Sequence, residues 1–239
     1  MAAAEKIYTL QPVYGAFEDF QRIGILAIEA ANKGEGKCVC VLLDTVDRAQ
    51  NCYSVILNLI GENSIEDIDV SLFHARFLQE VRNRIEASVV EKFDDRSLNL
   101  DFVHLRPKKA ILVATQVVEQ SLDVDFDEMI TDIAPIDLLI QRFGRIHRHN
   151  RPNRVERDLA LCHVLMPDAN TIDFGSIANV YQEYLLLTTY LYLQNNNVIN
   201  LPNTIRDAIE YVYRDFNEQQ FENSQEPIKN RLRTLFQAF

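Results

Sequence analysis

Short apolar runs alternate along the chain with longer segments in which apolar and polar residues recur at helical spacing. Runs of this length are typical of strands buried on both faces, and strands that alternate with helices indicate a mostly parallel sheet flanked by helices. The apolar runs are residues 37–43, 70–73, 110–114, 129–133 and 159–165. We therefore predict an α/β fold with a mostly parallel sheet.

The strand-like runs occupy the middle of the chain, and this predicts three parts. Residues 1–36 are predicted to form a leading helix and linker, because the helical spacing ends at the Gly34-Glu35-Gly36 break. Residues 37–167 are predicted to form the α/β domain. Residues 168–239 are predicted to be a helical extension and linker, since no strand-like run follows Asp168.

The charge balance limits the ligands that this chain can hold. Its 239 residues carry a formal net charge of -11, which argues against binding nucleic acid by bulk electrostatics, because phosphate neutralisation needs clustered cations. Residues 141–157 nevertheless contain six arginines and a single acid, Glu156. A local anion site is therefore expected in that segment.

The cysteines and the hydropathy indicate a compartment. Cys38 and Cys40 lie in an apolar run, and the four cysteines of the chain form no CxxC pair. We expect reduced core cysteines in a cytoplasmic protein. The sequence begins without a secretory signal, and no apolar run approaches the roughly 18 residues of a membrane span, so no membrane partner is expected.

Residues 141–148 (QRFGRIHR) concentrate positive charge within a helical pattern. At about 100° per residue, Gln141, Arg145 and Arg148 share one face, while apolar residues occupy the opposite face. Gly144 in mid-helix costs roughly 1 kcal/mol against Ala, which suggests that another backbone or a ligand comes close. The alternative interpretation is a cationic helix face that meets only solvent.

Several ligand-binding motifs are incomplete. Residues 34–37 (GEGK) lack the first glycine and the Ser/Thr of a phosphate loop, and they precede a strand instead of following one. Asp123, Asp125 and Asp127 have the opening spacing of a calcium loop without its turn glycine or its closing glutamate. The histidines lack further zinc ligands, so we expect no metal site in the chain.

Polar loops follow three of the apolar runs. These loops are residues 44–48, 73–76 and 115–123. In an open parallel sheet, ligands bind beyond the carboxyl ends of the strands. Three such loops, together with the arginine-rich segment, indicate a functional edge.

Residues 114–123 (ATQVVEQSLD), followed by residues 134–137 and 141–149, resemble motifs V and VI of superfamily 2 helicases. Their amino-acid sequence is most specifically similar to the corresponding motifs of the CRISPR-associated helicase-nuclease of type I interference systems. Residues 44–50 resemble motif IV of that family, and residues 74–77 resemble the motif that follows it. The resemblance spans residues 15–213 and implies that the α/β domain is the second RecA-like domain of such a motor.

This resemblance implies roles for individual residues. Arg145 and Arg148 would reach the γ-phosphate of an ATP held mainly by a preceding RecA-like domain, with Gln141 alongside. Asp123 would contact the ribose, and the Mg²⁺ ion would be held by the preceding domain. The residues expected to face the backbone of single-stranded DNA are Thr45, Arg48, His74, Arg76, Thr115 and Gln116.

The function expected from the resemblance is that of the C-terminal motor half of an ATP-dependent single-stranded DNA translocase, which feeds foreign DNA for degradation in CRISPR interference. Arg142 and Gly144 would brace a domain interface. The chain contains neither a first RecA-like domain with its phosphate loop nor a His-Asp nuclease domain, so it is expected to be inactive alone. Its expected partners are those two domains, single-stranded DNA and a Cascade-type complex. The alternative is a non-catalytic docking module that binds a partner complex or nucleic acid through residues 142–157.

Overall fold

The described residues form a seven-stranded sheet, whose strands are β1 (Lys6–Tyr14), β2 (Cys38–Leu42), β3 (Asp69–Phe73), β4 (Ala110–Ala114), β5 (Glu128–Asp132), β6 (Ala160–Met166) and β7 (Val198–Leu201). The strand order is β3-β4-β2-β5-β6-β1-β7, and the strand pairs are parallel except β1 with β7. The computed structural model describes residues 5–95, 106–119, 122–151, 154 and 160–238. The predicted α/β fold with a mostly parallel sheet is confirmed.

Helices cover both faces of the sheet. Neighbouring side chains on a strand point to opposite faces, and on β5 Thr131 accepts a hydrogen bond from Arg142 while Asp132 pairs with Arg48. The helices that carry these two arginines, α4 and α2, therefore lie on opposite faces. The helices are α1 (Phe20–Ala31), α2 (Val46–Glu62), α3 (Gln79–Phe93), α4 (Ile136–Phe143), α5 (Glu183–Asn195), α6 (Ile205–Tyr213) and α7 (Glu226–Gln237).

Two strands come from outside the middle of the chain. β1 falls within residues 1–36, for which the sequence predicts a helix and a linker, and β7 follows Asp168, after which it predicts no strand. β1 lies between β6 and β7, so all three predicted parts contribute to one sheet. The expectation that strands end at Asp168 is wrong. β7 is only four residues long and joins the sheet by pairing with β1, a long-range contact that no local pattern specifies.

α4 is shorter than the arginine-rich segment predicts. It ends at residue 143, and Gly144 is its C-cap. A Cβ on Gly144 would lie 3.2 Å from the carbonyl oxygen of Gln141, so the backbone that comes close is that of the helix itself. Beyond the cap, Ile146 forms a parallel bridge with Phe126, and both side chains are fully buried. Burial of Ile146 beside Phe126 therefore replaces the next helical turn.

The predicted cationic helix face is consequently wrong. Gln141 lies on α4, whereas Arg145 and Arg148 follow the helix in a turn where His147 has a φ of 50°. This arginine turn, residues 145–148, is fastened by hydrogen bonds from Phe126 N to Arg145 O and from His147 N to Phe126 O, both 2.9 Å long.

The chain after β6 is mostly helical, as the sequence predicts. α5 is buried on all sides, while α6 and α7 each bury one side. The predicted helical extension and linker over residues 168–239 does not specify α7, a helix that packs Leu232 into the core. None of the described helices is long and apolar enough to cross a membrane.

Arg142 is among the largest fully buried side chains of the described residues. All five N–H groups of its guanidinium have acceptors within this domain. The sequence-based expectation that Arg142 braces an interface with another domain is therefore replaced by a role inside this one. The acceptors are Glu119 Oε1 (2.7 Å), Thr131 Oγ1 (2.7 Å), Asp132 O (3.0 Å), Asp44 Oδ1 (2.6 Å) and Tyr181 OH (3.1 Å).

The charges in this network remain paired in spite of their burial. Burial by itself lowers the pKa of Arg142, but Asp44 and then Glu119 raise it above its ordinary value. Burial raises the pKa of Asp44 to about 6, with Arg142 opposing the change. The guanidinium is thus held as a cation, and removing it would leave two acids without a counter-ion in the interior.

We expect Arg142→Ala to destabilise the chain by about 3–5 kcal/mol, because it strands the buried carboxylates of Asp44 and Glu119. The free energy of unfolding from urea titration is the measurement. Gln141→Ala, on the exposed side of the same helix, is the matched control and should change stability by less than about 0.5 kcal/mol. Equal stability of the two variants would contradict a central role for the Arg142 network.

Candidate functional site

The loop after β2 uses two of its predicted DNA-facing residues inside the domain. Thr45 is the N-cap of α2, and its Oγ1 accepts a hydrogen bond from Arg48 N at 3.3 Å. The Arg48 guanidinium is buried and donates to both carboxylate oxygens of Asp132, at 2.8 and 3.1 Å, and to Phe17 O at 2.6 Å. Arg48 therefore joins α2 to β5. Its guanidinium is already paired within the domain, so it is not free to contact DNA as predicted.

The loop after β3 offers one exposed cation. His74 is buried, its ring stacks on Phe77 with centroids 4.0 Å apart, and its Nε2 lies 3.1 Å from Gln50 Nε2. Burial lowers the pKa of His74 below its ordinary value, which favours the neutral ring. Arg76, by contrast, has 66% of its side chain exposed and pairs at 2.6 Å with Asp47, which is 73% exposed. Such a surface ion pair contributes little to stability, so Arg76 can exchange Asp47 for a phosphate.

The loop after β4 turns its first polar side chains inward. Thr115 is buried. Gln116 donates from Nε2 to Asp44 O at 2.9 Å and reaches Tyr181 OH at 3.3 Å. Further along, the Glu119 carboxylate binds Arg142 Nε. These contacts join the loop to the end of β2 at the carboxyl edge of the sheet, to Tyr181 and to Arg142 of α4.

The arginine turn meets the far part of the same loop. Arg145 Nη2 donates to Glu119 O at 2.9 Å, and its Nη1 donates to Leu122 O. Arg148 donates from Nε to the carboxylate of Asp123, and these two side chains are 41% and 51% exposed. The structure thus brings together Arg145, Arg148 and Asp123, the three residues predicted to meet the nucleotide. Gln141 stays on α4, exposed.

The position of the arginine turn differs from the single functional edge that the sequence predicts. Ile146 bridges Phe126, and Phe126 lies two residues before β5 begins. The turn therefore lies beside the start of β5, whereas the loops after β2, β3 and β4 lie at the carboxyl ends of the strands. Lys6 of β1, which the sequence analysis does not single out, donates to His147 O at 2.6 Å and helps to hold the turn.

Two aspartates next to the turn absorb much of the positive charge of this segment. The carboxylate of Asp125 is fully buried and accepts hydrogen bonds from Arg151 and Arg154. Asp127 accepts from Arg154 and, at 3.0 Å, from Arg106. Burial by itself raises the pKa of both acids, but their arginine partners lower it below the ordinary value. Asp125 and Asp127, whose spacing resembles a calcium loop, thus bind arginine side chains of the same domain.

The described residues offer binding groups more than reactive groups. Burial raises the pKa of Cys38, Cys40 and Cys52 to about 12, so these thiols stay protonated. No group of three or more His, Cys, Asp or Glu residues within the described ranges could hold a metal ion. What the site provides is a pair of arginines with an exposed carboxylate, which fits an anionic ligand that carries hydroxyl groups.

Comparison with known proteins places this geometry in a family. A family model for the C-terminal part of the CRISPR-associated nuclease/helicase Cas3 matches residues 35–151. The CRISPR-associated endonuclease/helicase Cas3 of Thermus thermophilus is 38% identical over 181 residues, which are 74% of this chain and 19% of that protein. The chain therefore spans about a fifth of the length of this relative.

Solved structures agree over the whole fold. The crystal structure of T. fusca Cas3 with ATP is 28% identical, has a TM-score of 0.79, and matches all of this chain and 28% of its own. A chain in a CRISPR RNA-guided surveillance complex before nicking is 28% identical, has a TM-score of 0.70, and matches 96% of this chain and 28% of its own. The chain therefore belongs to the CRISPR-associated nuclease/helicase family and carries its C-terminal RecA-like helicase domain.

Proposed function

We propose that this chain is the second motor domain of an ATP-dependent single-stranded DNA translocase that feeds foreign DNA for degradation in CRISPR interference. It supplies Arg145 and Arg148 to the γ-phosphate and Asp123 to the ribose of an ATP held mainly by a preceding RecA-like domain. That preceding domain also holds Mg²⁺. The ATP-bound T. fusca relative supports the use of this nucleotide by the parent protein.

One observation carries the proposal: among the described residues, the side chain of Arg145 donates hydrogen bonds only to backbone carbonyls. Carbonyls carry no net charge, so the guanidinium remains available to a phosphate. Burial, followed by the neighbouring Arg148, lowers the pKa of Arg145, as expected for a cation without an acid in direct contact. Among the other described arginines of residues 142–154, each donates to a carboxylate.

Arg148 and Asp123 complement Arg145. Their mutual ion pair is largely exposed, and exposed pairs contribute little to stability. The pair can therefore open at little cost, which frees Arg148 for phosphate and Asp123 for a sugar hydroxyl. In phosphoryl transfer, an arginine supplied from a neighbouring domain stabilises the charge that develops on the transferred group.

The alternative, a docking module that uses residues 142–157, is not favoured by the charges. Arg142, Arg151 and Arg154 are engaged with buried or half-buried acids of the same domain. Removing them from these acids would cost several kcal/mol for each buried charge left unpaired. The described part of that segment therefore presents little free positive charge to a partner.

The surveillance-complex relative supports a further part of the proposal. Its likeness to this chain favours a longer protein that works beside an RNA-guided complex of the Cascade type. In such an assembly, the nuclease domain and the first RecA-like domain would be covalent or bound neighbours of this chain.

For the chain alone, we expect negligible ATPase and nuclease activity, because its sequence has neither a phosphate loop nor a cluster of His and Asp ligands for metals. It should bind single-stranded DNA weakly, with an affinity that falls steeply as salt rises, since few free cations oppose a net charge of -11. Fluorescence anisotropy over a salt series and a phosphate-release assay measure both. Tight, salt-insensitive binding, or hydrolysis that survives a contaminant control, would contradict this proposal.

In the complete motor, Arg145→Ala should lower the DNA-stimulated ATPase rate by about 10³-fold or more while ATP binding is largely kept. Arg148→Ala should also lower it by orders of magnitude. Lys at either position should rescue poorly, because an ammonium cannot copy the planar fork of donors. The assay combines this chain with the phosphate-loop domain of the same protein.

The matched control for these variants is Arg206→Ala, an exposed arginine on α6 that pairs with Glu210. It should keep the wild-type rate. If Arg145→Ala and Arg148→Ala both hydrolysed ATP as fast as this control, the arginine turn would be a structural surface and the motor assignment would lose its main support.

A further inference from the structure

Tyr181 lies after β6, outside the residues 35–151 that the family model matches. Its hydroxyl donates to Asp44 Oδ1 at 3.0 Å and accepts from Gln116 Nε2 at 3.3 Å and from Arg142 Nη2 at 3.1 Å. One hydroxyl thus joins the loops after β2 and β4 to α4 and to the C-terminal helical part. A tyrosine hydroxyl has one donor and two acceptor positions, so these three partners use its full capacity.

Gln116 is the residue most constrained by this hydroxyl. It begins a single 3-10 turn, Gln116–Val118, directly after β4. Its Nε2 donates to Asp44 O at 2.9 Å and to Asp44 Oδ1 at 3.2 Å. A backbone carbonyl and a carboxylate oxygen bonded to a guanidinium can only accept, so the inward atom of the amide is its nitrogen.

The opposite atom of the amide is therefore turned away from these partners. Gln116 Oε1 is not among the buried polar atoms left without a partner, and no described residue donates to it. An outward amide oxygen cannot bond to phosphate oxygens, which are acceptors themselves and carry negative charge. The Watson–Crick edge of each DNA base, however, carries an N–H donor.

We infer that Tyr181 is a positioning residue which, with Asp44, fixes Gln116 so that its Oε1 accepts a hydrogen bond from a nucleobase N–H of single-stranded DNA. The inference rests on the proposed function and narrows it, because it moves Gln116 from the expected DNA backbone to the bases. The loop after β4 then senses whether bases are present, while exposed cations such as Arg76 meet the phosphates.

The test measures binding of the 239-residue chain to oligothymidylate and to an abasic oligonucleotide of equal length, both at low salt. The ratio of the Kd for the abasic strand to the Kd for oligothymidylate reports contacts with bases, because such contacts lower only the second Kd. Gln116→Leu should reduce this ratio about two- to tenfold, the value of one hydrogen bond, with binding to the abasic strand unchanged. Tyr181→Phe should reduce it in the same direction, because the amide loses one of its inward partners.

Tyr192→Phe is the matched control. This residue of α5 is buried, and its hydroxyl is bonded to none of the described residues in the loops after β2 and β4. It should keep the wild-type ratio. A second readout is hydrogen exchange of the Gln116 side-chain amide by NMR, which Tyr181→Phe should accelerate while Tyr192→Phe does not.

Three outcomes would overturn the inference. Equal weakening of both oligonucleotides by Gln116→Leu would place Gln116 on the backbone. An unchanged ratio and unchanged amide exchange in Tyr181→Phe would remove Tyr181 as a positioning residue. Failure of the wild-type chain to bind oligothymidylate at low salt would defeat the proposed function first, and this inference with it.

Discussion

The buried Arg142 cation needs partners from several separate parts of the fold. A guanidinium in the interior is tolerated only if its charge and its five N–H groups are matched. The matching groups come from the end of β2, the end of β5, the loop after β4 and the segment after β6. The sheet, the loop and the C-terminal helical part must therefore be assembled together before Arg142 can be enclosed.

The Arg142 network also connects two regions that would bind the ligands of a motor domain, namely the arginine turn and the start of the loop after β4. The carboxylate of Glu119 binds Arg142, and the carbonyl of the same residue binds Arg145. Asp44, on the other side of Arg142, holds Gln116 at the carboxyl edge. A continuous set of hydrogen bonds therefore joins the arginine turn to Gln116 at the start of the loop after β4, although the turn and Gln116 lie near opposite ends of the strands.

Charge pairing explains why an arginine-rich segment can occur in so acidic a chain. Asp125 and Asp127 precede β5 and form ion pairs with Arg106, Arg151 and Arg154. Most of the local positive charge is therefore neutralised in contacts that hold the loops together. Among the described arginines of this segment and of the loop after β3, those that remain exposed are Arg148, paired with Asp123, and Arg76, paired with Asp47. The regular spacing of the aspartates was a sequence signal for this arrangement, because carboxylates that lie close to an arginine cluster form ion pairs with those arginines instead of binding a metal ion.

The α/β class, the parallel strands β2 to β6 and the importance of the segment that forms the arginine turn could be predicted from the sequence, because buried apolar runs and sequence motifs are local properties. The contacts of those residues, by contrast, could not be predicted, because they depend on parts of the chain that are distant in sequence. β1 and β7 depend on pairing across the length of the chain, and α4 stops where Ile146 gains burial beside Phe126. Helical periodicity places Arg145 and Arg148 on one face of a helix, but it carries no information about Leu122, Glu119 or Asp123. Whether an arginine is buried, paired or free is set by such distant partners, and these meet only when the sheet is complete.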